Sequence, residues 1–169
     1  MPGRILGKGF KSLLQQVIGD PIVGAEMTRR VHEMSDDGWY PYEEYVEVLR
    51  RLEDKLSTRG LAALAFNAAY GEREAIKAAG FDTPEKIFAN YAALIGFYTK
   101  DLEVGSIPQT LSVGPNHATL EIQDEIPRSF SEGYLRGFVA ATGGTLDRFA
   151  VLAFEREGLP FLRFEVRWS

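Results

Sequence analysis

Apolar positions along the first hundred residues recur every three or four residues, the spacing of helices with one buried face. Phe10, Leu13, Leu14, Val17 and Ile18 make the first such stripe, which stops at Gly19. Asp20-Pro21 offers a cap and a first-turn proline for a second helix, with Val23, Met27, Val31 and Met34 as its buried side. Tyr42, Tyr45, Leu49, Leu52 and Leu56 predict a long amphipathic helix whose apolar side could pack against a second subunit. Leu61, Leu64, Ala65 and Ala68 mark a small-residue helix able to approach a neighbour closely, and a short helix from Glu72 to Ala79 ends at Gly80. Asp82-Thr83-Pro84-Glu85 is a strong start signal. It opens the most regular stripe of the chain, Ile87, Phe88, Tyr91, Leu94, Ile95 and Tyr98, on a helix predicted from Pro84 to Lys100.

Beyond this point the period shortens to that of strands. Leu111 to Val113 and Ala118 to Ile122 flank the turn sequence Gly114-Pro115-Asn116 and predict a hairpin. Helical spacing returns once. Ser129 and Glu132 have the spacing of a reciprocal capping box, Phe130, Tyr134 and Phe138 follow at intervals of four, and Gly143-Gly144 ends the helix. Leu146 to Phe154 is a nearly continuous apolar run, as in a strand covered on both faces. After a turn at Glu157-Gly158, Leu162, Phe164, Val166 and Trp168 alternate with Arg163, Glu165 and Arg167, the pattern of a strand with one buried face. The expected fold is therefore α+β: a helical N-terminal half, then a four-stranded, largely antiparallel sheet in strand, strand, helix, strand, strand order. We read residues 1–169 as one domain.

Composition narrows the classes of function. With 45% apolar and 25% charged residues, the chain has the makeup of a soluble globular domain. Its net charge of −5, with Arg29-Arg30 and Arg50-Arg51 set among acidic neighbours, argues against nucleic acid. Cysteine is absent, which removes disulfides, thiolate metal sites and a cysteine nucleophile. No segment has the apolar length of a signal peptide or membrane span, so a cytoplasmic protein without membrane attachment is expected. Gly3, Gly7 and Gly9 with Lys8 match neither a dinucleotide fingerprint nor a phosphate loop, and with no strand expected before them they read as an N-terminal turn. His32 lacks a second ligand at helical spacing, His117 falls beside a turn, and Asp36-Asp37 lack the other ligands of a calcium loop. No metal site and no catalytic residue is assigned.

The helical first half, the hairpin Val113-Gly114-Pro115-Asn116-His117-Ala118-Thr119-Leu120, the segment Ser131-Glu132-Gly133-Tyr134-Leu135-Arg136-Gly137 and the terminal Phe164-Glu165-Val166-Arg167-Trp168 together resemble one superfamily. It holds the heme nitric-oxide/oxygen-binding domains and the 4-vinyl reductase domains. The resemblance spans essentially the whole chain and implies a small-molecule sensor with its pocket between helices and sheet, often paired into a dimer. The heme-binding branch carries a proximal histidine on the helix before the sheet, and a tyrosine, serine and arginine at alternate positions to hold the heme carboxylates. Iron needs an imidazole and propionates need a charged fork. This chain departs at both places: Pro84 to Lys100 contains no histidine, and the segment after the first hairpin reads Leu120-Glu121-Ile122-Gln123-Asp124-Glu125. Tyr91 or Tyr98 would have to serve as the iron donor, and no heme or other cofactor is expected.

The resemblance and the missing catalytic constellation imply a regulatory or sensory module, more plausibly non-enzymatic, that binds an apolar small molecule or a protein partner. The expected ligand-binding residues are Tyr91, Leu94, Ile95 and Tyr98 on one side, and Phe130, Tyr134 and Phe138 on the other, with ordinary core packing as the competing role for the same stripe. The alternatives are an enzyme or accessory subunit acting on a tetrapyrrole-like substrate, a heme-based gas sensor, and a structural dimer without a pocket. A homodimer is expected, through the face from Tyr42 to Leu56 or the edge of the terminal hairpin.

Overall fold

The computed structural model describes residues 3–21 and 24–169. It opens with a strand the sequence pattern does not reveal. β1 (Arg4–Leu6) runs straight into α1 (Gly7–Leu14), so the glycine cluster begins a helix instead of forming a loose turn. Gly7 is required there, because a Cβ would fall 2.0 Å from the Ser35 carbonyl oxygen. Pro21 sits in a turn, and α2 (Gly24–Glu33) brings Val31 and, just beyond it, Met34 into the core. Val23, expected on the same stripe, lies outside the described residues.

β2 (Trp39–Pro41) leads into α3 (Tyr42–Gly71), which is interrupted at Ser57, where φ is +71° and ψ 168°. The two helices expected on either side of that point are thus joined through a single non-helical residue. The stripe Tyr45, Leu49 and Leu52 is buried within the chain, Tyr45 standing edge-on to Phe10 and Phe130. That part of the stripe thus packs within the chain, while Tyr42 and Leu56 at its ends are half-buried.

α4 (Arg73–Ala78) ends before Gly80, whose φ is +91°. The helix expected from Pro84 to Lys100 is divided into α5 (Pro84–Ala89) and α6 (Tyr91–Gly96). Asn90, at φ −121° and ψ 24°, breaks the helix. Thr83 caps α5 as its sequence predicts, its hydroxyl accepting from the Lys86 amide at 3.3 Å. β3 (Thr99–Lys100) then pairs with β1, giving a small antiparallel sheet in the order β2-β1-β3 that ties the chain start to the end of α6.

The second half follows the expected order. β4 (Gln109–Gly114), β5 (His117–Gln123), α7 (Arg128–Ala141), β6 (Leu146–Arg156) and β7 (Leu159–Trp168) form a four-stranded antiparallel sheet, ordered β4-β5-β7-β6, with α7 packed on it. Leu162, Phe164, Val166 and Trp168 are all buried, and Glu157-Gly158 makes the turn with both φ angles positive. Two local readings change. Pro127 precedes α7, and Ser129, instead of capping it, donates from its hydroxyl to Glu53 on α3 at 2.5 Å. β6 is an edge strand with one face open to solvent, Leu152 being 57% exposed. A continuous apolar run fits a two-faced strand, yet among the described residues of β6 only Leu146, Phe149 and Val151 pack into the sheet-side core.

α7 lies close against α3. A Cβ on Gly133 would stand 2.0 Å from the Ala62 carbonyl oxygen, and one on Gly137 2.5 Å from that of Phe66. The small side of α3, through Ala62 and Ala69, thus meets a glycine face. Two apolar cores result. One gathers α1, α2 and α3 around Phe10, Leu14, Leu49 and Leu61; the other gathers α5, α6, α7 and the sheet around Phe88, Leu135, Phe138 and Phe164.

Candidate ligand-binding cavity

The two cores meet at α7, which contributes Phe130 to the helical core and Phe138 to the sheet core. Tyr134 lies between them, one helical turn from each, and packs against both. Its ring stacks on Phe130 with centroids 5.2 Å apart and stands edge-on to Phe138 at 4.6 Å. Tyr91 on α6 meets Phe138 edge-on at 6.0 Å. A cavity of about 80 Å³ opens where the two cores join.

Its floor is the sheet, through Leu120, Ile122 and Phe164, and its walls are Ile5 of β1, Tyr42 and Tyr45 of α3, Tyr91 and Ile95 of α6, and Phe130, Ser131 and Tyr134 of α7. Tyr98 and Gly9 complete the wall. There the Tyr98 hydroxyl donates to Glu72 Oε2 at 3.1 Å, and Lys8 pairs with the same carboxylate at 3.2 Å.

Of the residues expected from sequence to line a pocket, Tyr91, Ile95, Tyr98, Phe130 and Tyr134 stand together around this cavity. Leu94 and Phe138 do not reach it and are buried in the sheet-side core. Ile5, Tyr42, Tyr45, Glu121 and Ser131 were not anticipated. Ile5 enters on a strand too short to leave a period. Tyr42 and Tyr45 fit a helix stripe, and the signal available was chemical: tyrosine in place of phenylalanine at buried positions implies that the hydroxyl is used.

The electrostatics follow from burial. The phenols of Tyr42, Tyr45, Tyr91 and Tyr134 are all pushed well above the ordinary tyrosine range, first because burial penalises the phenolate. Neighbouring phenols add to this: Tyr134 and Tyr42 act on both Tyr45 and Tyr91. Tyr98 is pushed up to about 12, by burial and then by Glu72. Glu121 is 3% exposed, and burial alone would raise its pKa. The Arg163 and Arg156 guanidiniums outweigh that and hold its carboxyl below the usual range; Arg156 Nη2 donates at 2.6 Å and Arg163 donates through both Nε and Nη2. The carboxylate is therefore already claimed on the outer side of the sheet.

A heme would need an axial donor and a cationic fork at this place. Among the described residues, the cavity wall holds no imidazole and no guanidinium: His32 on α2 and His117 beside the β4–β5 turn are exposed and elsewhere. No group of three His, Asp or Glu side chains is arranged to hold a metal ion among the described residues. The residues present do not fit the group.

No family model matches the chain, and a search among curated proteins finds no match. Solved structures do match over nearly the full length. The chain is similar to the Fe(II) unliganded H-NOX protein from K. algicida, at 14% identity and a TM-score of 0.64, covering 98% of this chain and 97% of that one. It is similar to a mutant of an H-NOX protein from S. oneidensis in the Fe(II) ligation state, at 13% identity and a TM-score of 0.67, covering 98% and 96%. An oxygen-binding H-NOX domain related to soluble guanylate cyclases, solved as its oxygen complex, matches at 11% identity and a TM-score of 0.59, covering 96% and 92%. The chain has the H-NOX fold. No helix among the described residues is long and apolar enough to cross a membrane.

Proposed function

We propose that this chain is a sensory or regulatory module of the H-NOX fold that binds a small, largely apolar molecule without heme. The observation that carries the reading is the cavity at the junction of the two cores, bounded by α3, α6, α7 and the sheet at once. A molecule held there touches both halves of the fold, so its binding can change how they pack, which is what a sensor needs. At about 80 Å³ the space is well below the roughly 300–1,000 Å³ of cofactor- and drug-sized sites, and aromatic rings occupy the rest of the junction.

The rival reading is a heme-based gas sensor, supported by the likeness to an H-NOX domain solved with oxygen. It would require a phenolate from Tyr91 or Tyr98 on the iron and a rearrangement of the aromatic cluster. Expression with added heme precursor, followed by native mass spectrometry and an absorption spectrum, separates the two. The expected product is colourless protein, bare or carrying a small non-heme molecule. A Soret band with the mass of one heme would overturn the proposal.

A further inference from the structure

The cavity is apolar in area, yet it is ringed by hydroxyl groups. Tyr45 and Tyr91 are 7% and 8% exposed, and neither hydroxyl makes a hydrogen bond among the described residues. The same holds for the hydroxyls of Tyr42, Tyr134 and Ser131, which line the same space. Every fully enclosed side-chain polar atom among the described residues has a partner. These hydroxyls are unpartnered because they open on the cavity. A hydroxyl that opens on a largely apolar space can donate to an acceptor placed there, which a phenylalanine ring at the same position could not do.

The chemistry of the wall restricts what can satisfy them. Each hydroxyl brings a proton to donate, and none is spent on a protein acceptor. Among the described residues no cation lines the space, and Glu121, the one carboxylate among them that does, is bound by Arg156 and Arg163. An ionised ligand of either sign would lose its hydration with nothing to replace it. We infer that the cavity takes a small neutral molecule with an apolar body and a hydrogen-bond-accepting pole, such as a ketone, aldehyde, ester or amide, oriented by the free hydroxyls of Tyr45 and Tyr91. This rests on the reading of the cavity as the ligand site.

Two probes of nearly equal shape test it on the full chain: cyclopentanone, which accepts a hydrogen bond, and methylenecyclopentane, which does not. The ratio of cyclopentanone to methylenecyclopentane affinity is expected to be about tenfold higher in the unaltered protein than in a variant lacking the hydroxyl, the change one net hydrogen bond confers. The cyclopentanone carbonyl stretch should move to lower frequency on binding. In Tyr45→Phe and Tyr91→Phe the ratio should fall by about that factor and the stretch should return toward its value in apolar solvent. Unchanged affinity for the hydrocarbon in each variant would show that the fold and the cavity persist. A carbonyl stretch that keeps its apolar-solvent value in the unaltered protein would overturn the hydrogen-bonding inference and leave the cavity reading standing. Binding of neither probe would overturn both. A ratio that survives in both variants would overturn the assignment to these tyrosines.

Discussion

Tyr42, Tyr45, Tyr91, Tyr98 and Tyr134 surround one small space, and all five phenols are raised above their ordinary range. Each protonated form is favoured by folding, so the sign of the linkage is fixed. The stabilisation is complete below about pH 10, where unfolded tyrosine ionises, and is lost as pH rises beyond it. With five groups contributing, alkaline unfolding should be steep. The tyrosinate absorbance of these five phenols should appear together with the loss of helical circular dichroism. Smooth titration of the five in a protein that stays helical would show that they reach solvent. The same residues mark how far the sequence could be read. Helical spacing placed Tyr91, Tyr134 and Phe130 on buried faces, but it treats tyrosine and phenylalanine alike. The convergence of Tyr45 from α3 with Tyr91 from α6 is a property of tertiary packing that no local period carries.

At the scale of elements, the joint in α3 is the most sharply defined feature. Ser57 adopts φ +71° and ψ 168°, a region open in practice to glycine alone and worth about 1–3 kcal/mol of strain in other residues. Its hydroxyl also accepts from the Gly60 amide at 3.4 Å and so caps the segment that follows. The two roles respond oppositely to substitution. Ser57→Gly relieves the strain and gives up only a few tenths of a kcal/mol of capping, so it should stabilise by about 1 kcal/mol. Ser57→Ala keeps the strain and loses the cap, so it should destabilise by about 1 kcal/mol. Urea midpoints for the two variants moving in the same direction would refute this account of the joint. The sequence was informative on either side of that joint, since the stripe of leucines and the run of alanines were both helical. It failed where local rules give no sign of tertiary demand. The period of Ile87, Phe88, Tyr91 and Leu94 continues through Asn90, although the helix breaks there. Ser129 and Glu132 match a capping box, but Glu53 lies close enough to take the serine proton. The apolar run of β6 is that of an interior strand, and its place at the edge follows from the pairing of β7 with both β5 and β6, which no local pattern shows.

For the whole molecule the question is whether two cores make one cooperative unit or two. α7 argues for one. It places Phe130 in the helical core and Leu135, Phe138 and Val139 in the sheet core, its glycine face locks it to α3, and the β2-β1-β3 sheet ties the chain start to the end of α6. Neither core can lose its packing without stripping apolar surface from the other. The two tryptophans report on the halves separately: Trp39 sits in β2 with the Lys100 ammonium 4.1 Å from its ring centroid, and Trp168 is stacked on Phe88 in the sheet core at 4.9 Å. With 5-fluorotryptophan incorporated, both should give resolved fluorine resonances without any substitution in either core. In increasing urea the two native signals should decay with one midpoint, as expected for a two-state domain. A ligand in the cavity should raise that shared midpoint, because it binds only where both cores are assembled. Loss of the Trp39 signal at lower urea than that of Trp168 would mean that the helical half opens independently, and the cavity would then be bounded by the sheet core alone.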